Sequence, residues 1–160
     1  MTVTRRLDDA ANNGLYRSVG SSRRQYSASD VRFSQKTVSF KKPSGETYDD
    51  IVASMQRCGW RGDRVDVVRQ PDGRITSVDN TRITAARETD TTVEARVHKP
   101  TDAIQNSGTA QRLQNHKTHE DAATWGEGVT NRIQKQGASW SRNHPLGSDT
   151  LPRITGRPHG

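Results

Sequence analysis

Residues 65–98 read VDVVRQPDGRITSVDNTRITAARETDTTVEARVH, and this stretch decides the fold class. Residues 64–69 (RVDVVR) are a short Val-rich run, Pro71-Asp72-Gly73 supplies what a tight reversal needs, and residues 74–78 (RITSV) form a second apolar run. The spacing predicts a β-hairpin. Asp79-Asn80 then stands where a helix cap belongs, ahead of a helix from Thr81 to about Glu88 whose Ile83, Ala85 and Ala86 turn to a core. Residues 92–98 (TVEARVH) alternate, with Val93, Ala95 and Val97 inward and Glu94, Arg96 and His98 on the opposite face.

Working outward, residues 31–40 (VRFSQKTVSF) alternate with a change of side, which predicts a strand with a kink or bulge. Residues 41–46 hold Pro-Ser-Gly and form a turn. Thr47 with Asp50 makes a box-like cap for a helix carrying Tyr48, Ile51, Val52 and Met55 on one face, and Gly59 stops it. Residues 99–120 read as a polar loop with at most one broken helix. A further helix is expected over residues 124–136 (TWGEGVTNRIQKQ), capped by Thr124 and Glu127 and striped by Trp125, Val129 and Ile133. The order strand, helix, hairpin, short helix, strand, helix is that of a small α+β domain. Residues 1–29 are expected to be a linker or flexible arm, residues 30–140 the domain with its C-terminal helix, and residues 141–160 an irregular tail.

Composition fits one small core. Of 160 residues, 29% are apolar and 27% charged, and the Val and Ile that could build a core concentrate between residues 31 and 98. The net charge of +7 is spread along the chain, which suits a polyanionic partner without marking a stripe for it. One cysteine, Cys58, excludes an intramolecular disulfide framework and a Cys-based zinc site; it is expected to be a small buried apolar residue. No apolar run approaches the length of a membrane span, so membrane insertion is not expected. Residues 1–20 lack the apolar stretch of a secretory signal. Trp60, Trp125 and Trp140 are expected to be packing anchors.

A strand running straight into a helix through Asp79-Asn80-Thr81-Arg82 sets backbone N–H groups, polar side chains and a guanidinium at one helix start. That is an anion site, unless Asn80 or Asp79 is simply a cap and Arg82 a surface charge. On the later helix, Glu127, Asn131 and Lys135 share a face beside Arg132, either completing a phosphate site or forming a solvated ladder. His98 has the chemistry of a general base, or of an ordinary strand-edge residue. His116 and His119 have a spacing that suits a metal on a helix, but no third ligand lies near them in sequence.

The strand, Asp79-to-Arg82 turn, Ala-rich helix Ile83-Thr84-Ala85-Ala86-Arg87 and closing strand resemble the ParB/sulfiredoxin-like superfamily. The upstream Ser34-Gln35 and the Arg57-Cys58-Gly59-Trp60 helix end fit the same layout. The turn lacks the superfamily's usual Gly and is shorter, and neither the sulfiredoxin G-C-H-R nor the ParB arginine-rich nucleotide motif occurs, so what is shared is the fold. Taken together, GWRGDRVDVVRQPDGRITSVDNTR and TWGEGVTNRIQKQ are similar to toxin domains of bacterial polymorphic and secreted effectors. The resemblance implies a small ParB/sulfiredoxin-like mixed sheet and a toxin acting on nucleic acid by phosphodiester cleavage. Asp79, Asn80, Arg82, His98 and Glu127 would be catalytic, and Thr81, Arg87, Arg132 and Lys135 would bind phosphate. A divalent metal ion is a conceivable cofactor with no ligand set assigned. Nucleic acid or nucleotide would be the target and an immunity protein the cognate partner, with synthesis in a bacterial cytoplasm and delivery to a target cell's cytoplasm. The alternatives are a nucleotide hydrolase or phosphotransferase toxin, and a non-catalytic DNA-binding or adaptor module.

Overall fold

The computed structural model describes residues 21–158. Its centre is a five-stranded mixed sheet in the order β1-β6-β4-β5-β2, formed by β1 (Ser21–Tyr26), β2 (Val31–Arg32), β4 (Val65–Arg69), β5 (Ile75–Ser77) and β6 (Val93–His98). The hairpin β4–β5 is antiparallel, as its Pro-Asp-Gly turn dictates, with Val68 opposite Thr76. β6 runs parallel to β4, which the intervening helix allows. The class is therefore α+β, as expected. A second, two-stranded parallel sheet joins β3 (Thr37–Ser39) to β7 (Arg153–Thr155).

Two departures from the sequence reading concern the ends of the chain. Residues 21–26 are no linker: β1 pairs with β6 from Ser21 opposite His98 to Tyr26 opposite Val93. Its SSRRQY sequence has almost no apolar alternation, because backbone hydrogen bonding to β6 makes the strand. The tail is likewise ordered through α5 (Ala138–Asn143) and β7. The predicted strand over residues 31–40 divides, with β2 in the main sheet and β3 in the small one, on either side of a Phe33–Ser148 bridge. The part of the expected arm before residue 21 lies outside the described residues.

Two cores sit on the two faces of β4, as Val-Asp-Val-Val requires. Val65 and Val67 join Val31, Ile75, Val93 and Ala95 beneath α1 (Tyr48–Cys58) and α2 (Thr81–Thr89), which contribute Ile51, Met55, Ile83 and Ala86. Val68, with Val78, packs instead against Leu113, Trp125, Val129 and Ile133. Leu113 follows α3 (Ser107–Arg112), and the other three are the predicted stripe of α4 (Trp125–Gln134). The α1 capping box is present on both sides, Thr47 Oγ1 accepting from Asp50 N–H and the Asp50 carboxylate from Thr47 N–H. Cys58 is exposed at the end of α1, correcting the expectation of burial. Its position on the last turn carries it past the apolar stripe of Tyr48, Ile51 and Met55.

Candidate functional site

β5 delivers the chain into the second core at Val78, and the next four residues, Asp79 to Arg82, form one wall of an open cleft of about 570 Å³. α3 contributes Arg112, α4 and its C-cap contribute Arg132 and Lys135, the turn after β3 contributes Lys42, and Gln35 with Thr37, Val38 and Ser39 of β3 completes the lining. Five cations thus face one carboxylate. A second depression of about 560 Å³ beside β1 holds Arg23, Arg24 and Arg64 but also Asp30 and Glu94, and Arg64 pairs with Glu94 there.

Asn80 does not cap α2: its side chain makes no hydrogen bond to the helix. It is 2% exposed, its Oδ1 accepts from Ser34 N–H at 2.9 Å, and its Nδ2 donates to Ser34 Oγ and Gln35 Oε1. It therefore clamps the loop that leads into β3, so the strand carrying Thr37 and Ser39 is fixed against the start of α2. Asp79 receives Arg112 from across the cleft, Nη1 to Oδ1 at 2.6 Å and Nη2 to Oδ2 at 3.4 Å. Asn131 donates to the carbonyl of Leu113 and so ties α4 to the end of α3, next to Arg112.

Arg82 has structural partners as well as a place in the cleft. Its Nη1 donates to the carbonyls of Asp63 and Arg61, and its guanidinium lies 4.5 Å over the Trp60 ring. Arg132 has no carboxylate pair, and its Nη2 is buried without a hydrogen-bond partner among the described residues. Burial lowers the pKa of both arginines, and Asp79 opposes the shift in each case. Both stay charged at any pH a protein tolerates, so the cleft presents poorly solvated cations that gain most from an anion. Lys42 is half-buried and donates from Nζ to Thr81 Oγ1. Desolvation pulls its ammonium below the ordinary lysine range, Arg132 and Arg82 add to this, and Asp79 and Glu46 oppose it.

Six of the residues singled out in the sequence, Asp79, Asn80, Thr81, Arg82, Arg132 and Lys135, therefore line one cleft. Three others are placed elsewhere. Arg87 spends its donors on the carbonyls of Ala28, Val31 and Asp149 and lies over the Phe33 ring. His98 is buried beneath α4, stacked on Trp125 with ring centroids 3.8 Å apart and hydrogen-bonded to Asp66. Glu127 is a capping residue whose carboxylate accepts from Ala123 N–H. Arg87 and Glu127 are thus corrected to structural roles. His98 is corrected from a strand-edge base to a packed core histidine, because α4 closes over its face of β6.

Lys42 and Arg112 escaped the sequence reading. The Lys41-Lys42 pair before Pro43 was a visible signal for the first, whereas Arg112 sits on a short helix in polar sequence and offered none. Among the described residues no group of three or more His, Cys, Asp and Glu side chains is placed to hold a metal ion. His116 and His119 lie in and beside a turn, His119 with φ of 62°. Trp60 and Trp140 pack at the edges of the two cores and Trp125 within the second. No helix among the described residues is long and apolar enough to cross a membrane. No protein-family model matches the chain, and no curated protein matches it either.

Proposed function

We propose that this chain is a nuclease domain whose cleft grips the phosphates of a nucleic acid strand. One observation carries the reading: Lys42, Arg82, Arg112, Arg132 and Lys135 converge with the first residues of α2 on a cleft holding a single carboxylate. A helix start with cations around it favours phosphate, and the volume suits a nucleotide unit rather than a lone small ion. Cations preorganised where charge develops in a phosphoryl transition state supply the electrostatic part of catalysis without reorganisation. The resemblance to ParB/sulfiredoxin-like toxin domains of secreted effectors agrees with this chemistry. In that setting the domain would be delivered into a target cell and held in check by an immunity protein.

The test is turnover of RNA, DNA and free nucleotides by the purified chain, beside Arg132→Gln. Arg132 is the cleaner probe, since Arg82 also fastens residues 61–63. Loss of one such donor is expected to slow strand cleavage by about 10²-fold or more with circular dichroism melts little changed. Hydrolysis of nucleotides without strand cleavage would favour the nucleotide-hydrolase alternative. Strand binding with no turnover of any substrate would leave only an adaptor role.

A further inference from the structure

We infer that the strand is RNA and that Lys42 is the base that draws the proton from a ribose 2′-hydroxyl, so that cleavage is an internal transesterification. The inference rests on the nuclease reading and narrows it.

Three features of the cleft lead there. The first is its acid–base inventory. Asp79, the lone carboxylate of the lining, is engaged at both oxygens by Arg112. The remaining titratable groups of the lining are Lys42 and Lys135, the latter exposed at the rim. A cleft rich in electrostatic grips and poor in free carboxylates suits a substrate that brings its own nucleophile, and RNA does.

The second is the setting of Lys42. Its backbone is held in a turn, Lys42 N–H donating to Glu46 and Gly45 N–H to Lys42, and Lys41 bridges to Thr47. The side chain reaches from there to Thr81 Oγ1 at the first residue of α2. The charged groups bearing on it are Asp79, Glu46, Arg132 and Arg82, and burial with the two arginines favours the neutral amine. A threonine hydroxyl can donate as well as accept, so Thr81 can hydrogen-bond either form of Lys42. This pairs a base with the same helix start that orients the phosphate.

The third is the polar wall opposite. Thr37 and Ser39 carry hydroxyls that both donate and accept, and Gln35 adds an amide beside them, which is what recognition of a 2′-hydroxyl requires.

The step balances within the substrate and these groups. The 2′-hydroxyl proton passes to the neutral Nζ of Lys42, the O2′–P bond forms, and Arg132, Arg112 and Arg82 stabilise the added negative charge. The P–O5′ bond breaks, the departing O5′ takes a proton from the Lys135 ammonium, and the proton gained by Lys42 passes to water as Lys135 takes one up. The products are a 2′,3′-cyclic phosphate and a free 5′-hydroxyl.

The experiment uses the full chain with an RNA oligonucleotide, the same oligonucleotide carrying one 2′-deoxy linkage, and an all-DNA strand of the same sequence. Early products are read by mass spectrometry and binding by fluorescence anisotropy. RNA is expected to be cut to cyclic-phosphate ends, the deoxy linkage to survive inside an otherwise cut strand, and DNA to bind uncut. Lys42→Arg puts a fixed cation in place of the neutral amine and cannot act as a base at neutral pH, so strand affinity should hold or rise while turnover falls by about 10²-fold or more. Cutting at the deoxy linkage or of DNA, or full activity in Lys42→Arg, would overturn the inference and leave the nuclease reading standing. No cleavage of any strand would remove both. The deoxy-linkage arm needs no mutant, so a misfolded Lys42→Arg does not blunt the test.

Discussion

Asp66 lies on the face of β4 opposite Val65 and Val67 and accepts at one oxygen from both Arg96, at 3.1 Å, and His98, at 2.8 Å. Burial alone would raise the pKa of this carboxyl, but hydrogen bonding and charge from His98 and Arg96 outweigh it and hold Asp66 below the usual carboxylate range. A carboxyl whose pKa is depressed on folding stabilises the fold above its unfolded pKa, and the contribution disappears as pH falls through the folded value. Asp66→Asn is accordingly expected to cost about 2 kcal/mol at neutral pH, the scale of hydrogen bonds to a charged group. The gap to wild type should close as pH is lowered beneath the ordinary value of 3.8. Urea unfolding of both proteins across that range measures it, and a gap independent of pH would show that packing, not charge, sets the cost. The same surroundings explain why His98 is misleading in sequence: the alternation of β6 places it correctly on a face, but only tertiary packing brings Trp125 onto that face. Asp79, Arg82 and Arg132 were legible because helix starts and helix faces are local properties. Their distance from Lys42 and Arg112 in the chain is what hid the rest of the cleft.

At the scale of the element, α4 decides the cleft's far wall, and its seat is set by glycine. A Cβ on Gly126 would lie 2.9 Å from the Pro100 carbonyl oxygen and 3.0 Å from Pro100 Cβ, in a loop that also accepts the Gly126 N–H. Backbone cannot withdraw as a side-chain tip can, so the helix must move instead. Gly126→Ala is expected to destabilise by about 1–3 kcal/mol, the usual cost of overpacking, and to displace Arg132 and Lys135 with the helix. The readout is strand affinity beside the melting temperature, and an unchanged protein on both counts would mean that α4 tolerates a shift at its start. Helices α1 and α4 were visible in sequence because capping residues and apolar spacing mark their ends and faces, and α2 because Ile83, Ala85 and Ala86 mark its buried side. β1 and α3 were not, for a common reason. SSRRQY and SGTAQR carry neither periodicity nor burial of their own, and each is held by what it packs or pairs against.

At the scale of the molecule, the C-terminal segment belts the domain from the main sheet to the cleft. The Leu146 carbonyl accepts from Thr76 Oγ1 and Gln70 Nε2, Phe33 and Ser148 exchange backbone hydrogen bonds, and Arg74 grips Asp149 through both nitrogens. Gly147 makes the crossing possible: at φ of 103° a Cβ there would stand 2.8 Å from Thr76 Cγ2 and 2.9 Å from the Phe33 carbonyl oxygen. The segment then pairs as β7 with β3, the strand that presents Thr37 and Ser39 to the cleft. A chain ending at Asn143 loses this belt. Each kcal/mol of stability lost lowers the melting temperature of a protein this size by about 2–4 °C, and several hydrogen bonds, the Leu146 pair part-buried and the Arg74–Asp149 pair exposed, at roughly 1 kcal/mol apiece or less make the expected drop about 10 °C. The milder Gly147→Ala is expected to retain the fold, at a lower melting temperature, and to weaken strand binding because β3 loses its registered partner. Should Gly147→Ala lower stability without touching strand affinity, the small sheet would be a brace for the core alone and the cleft's third wall would be held by the Asn80 clamp.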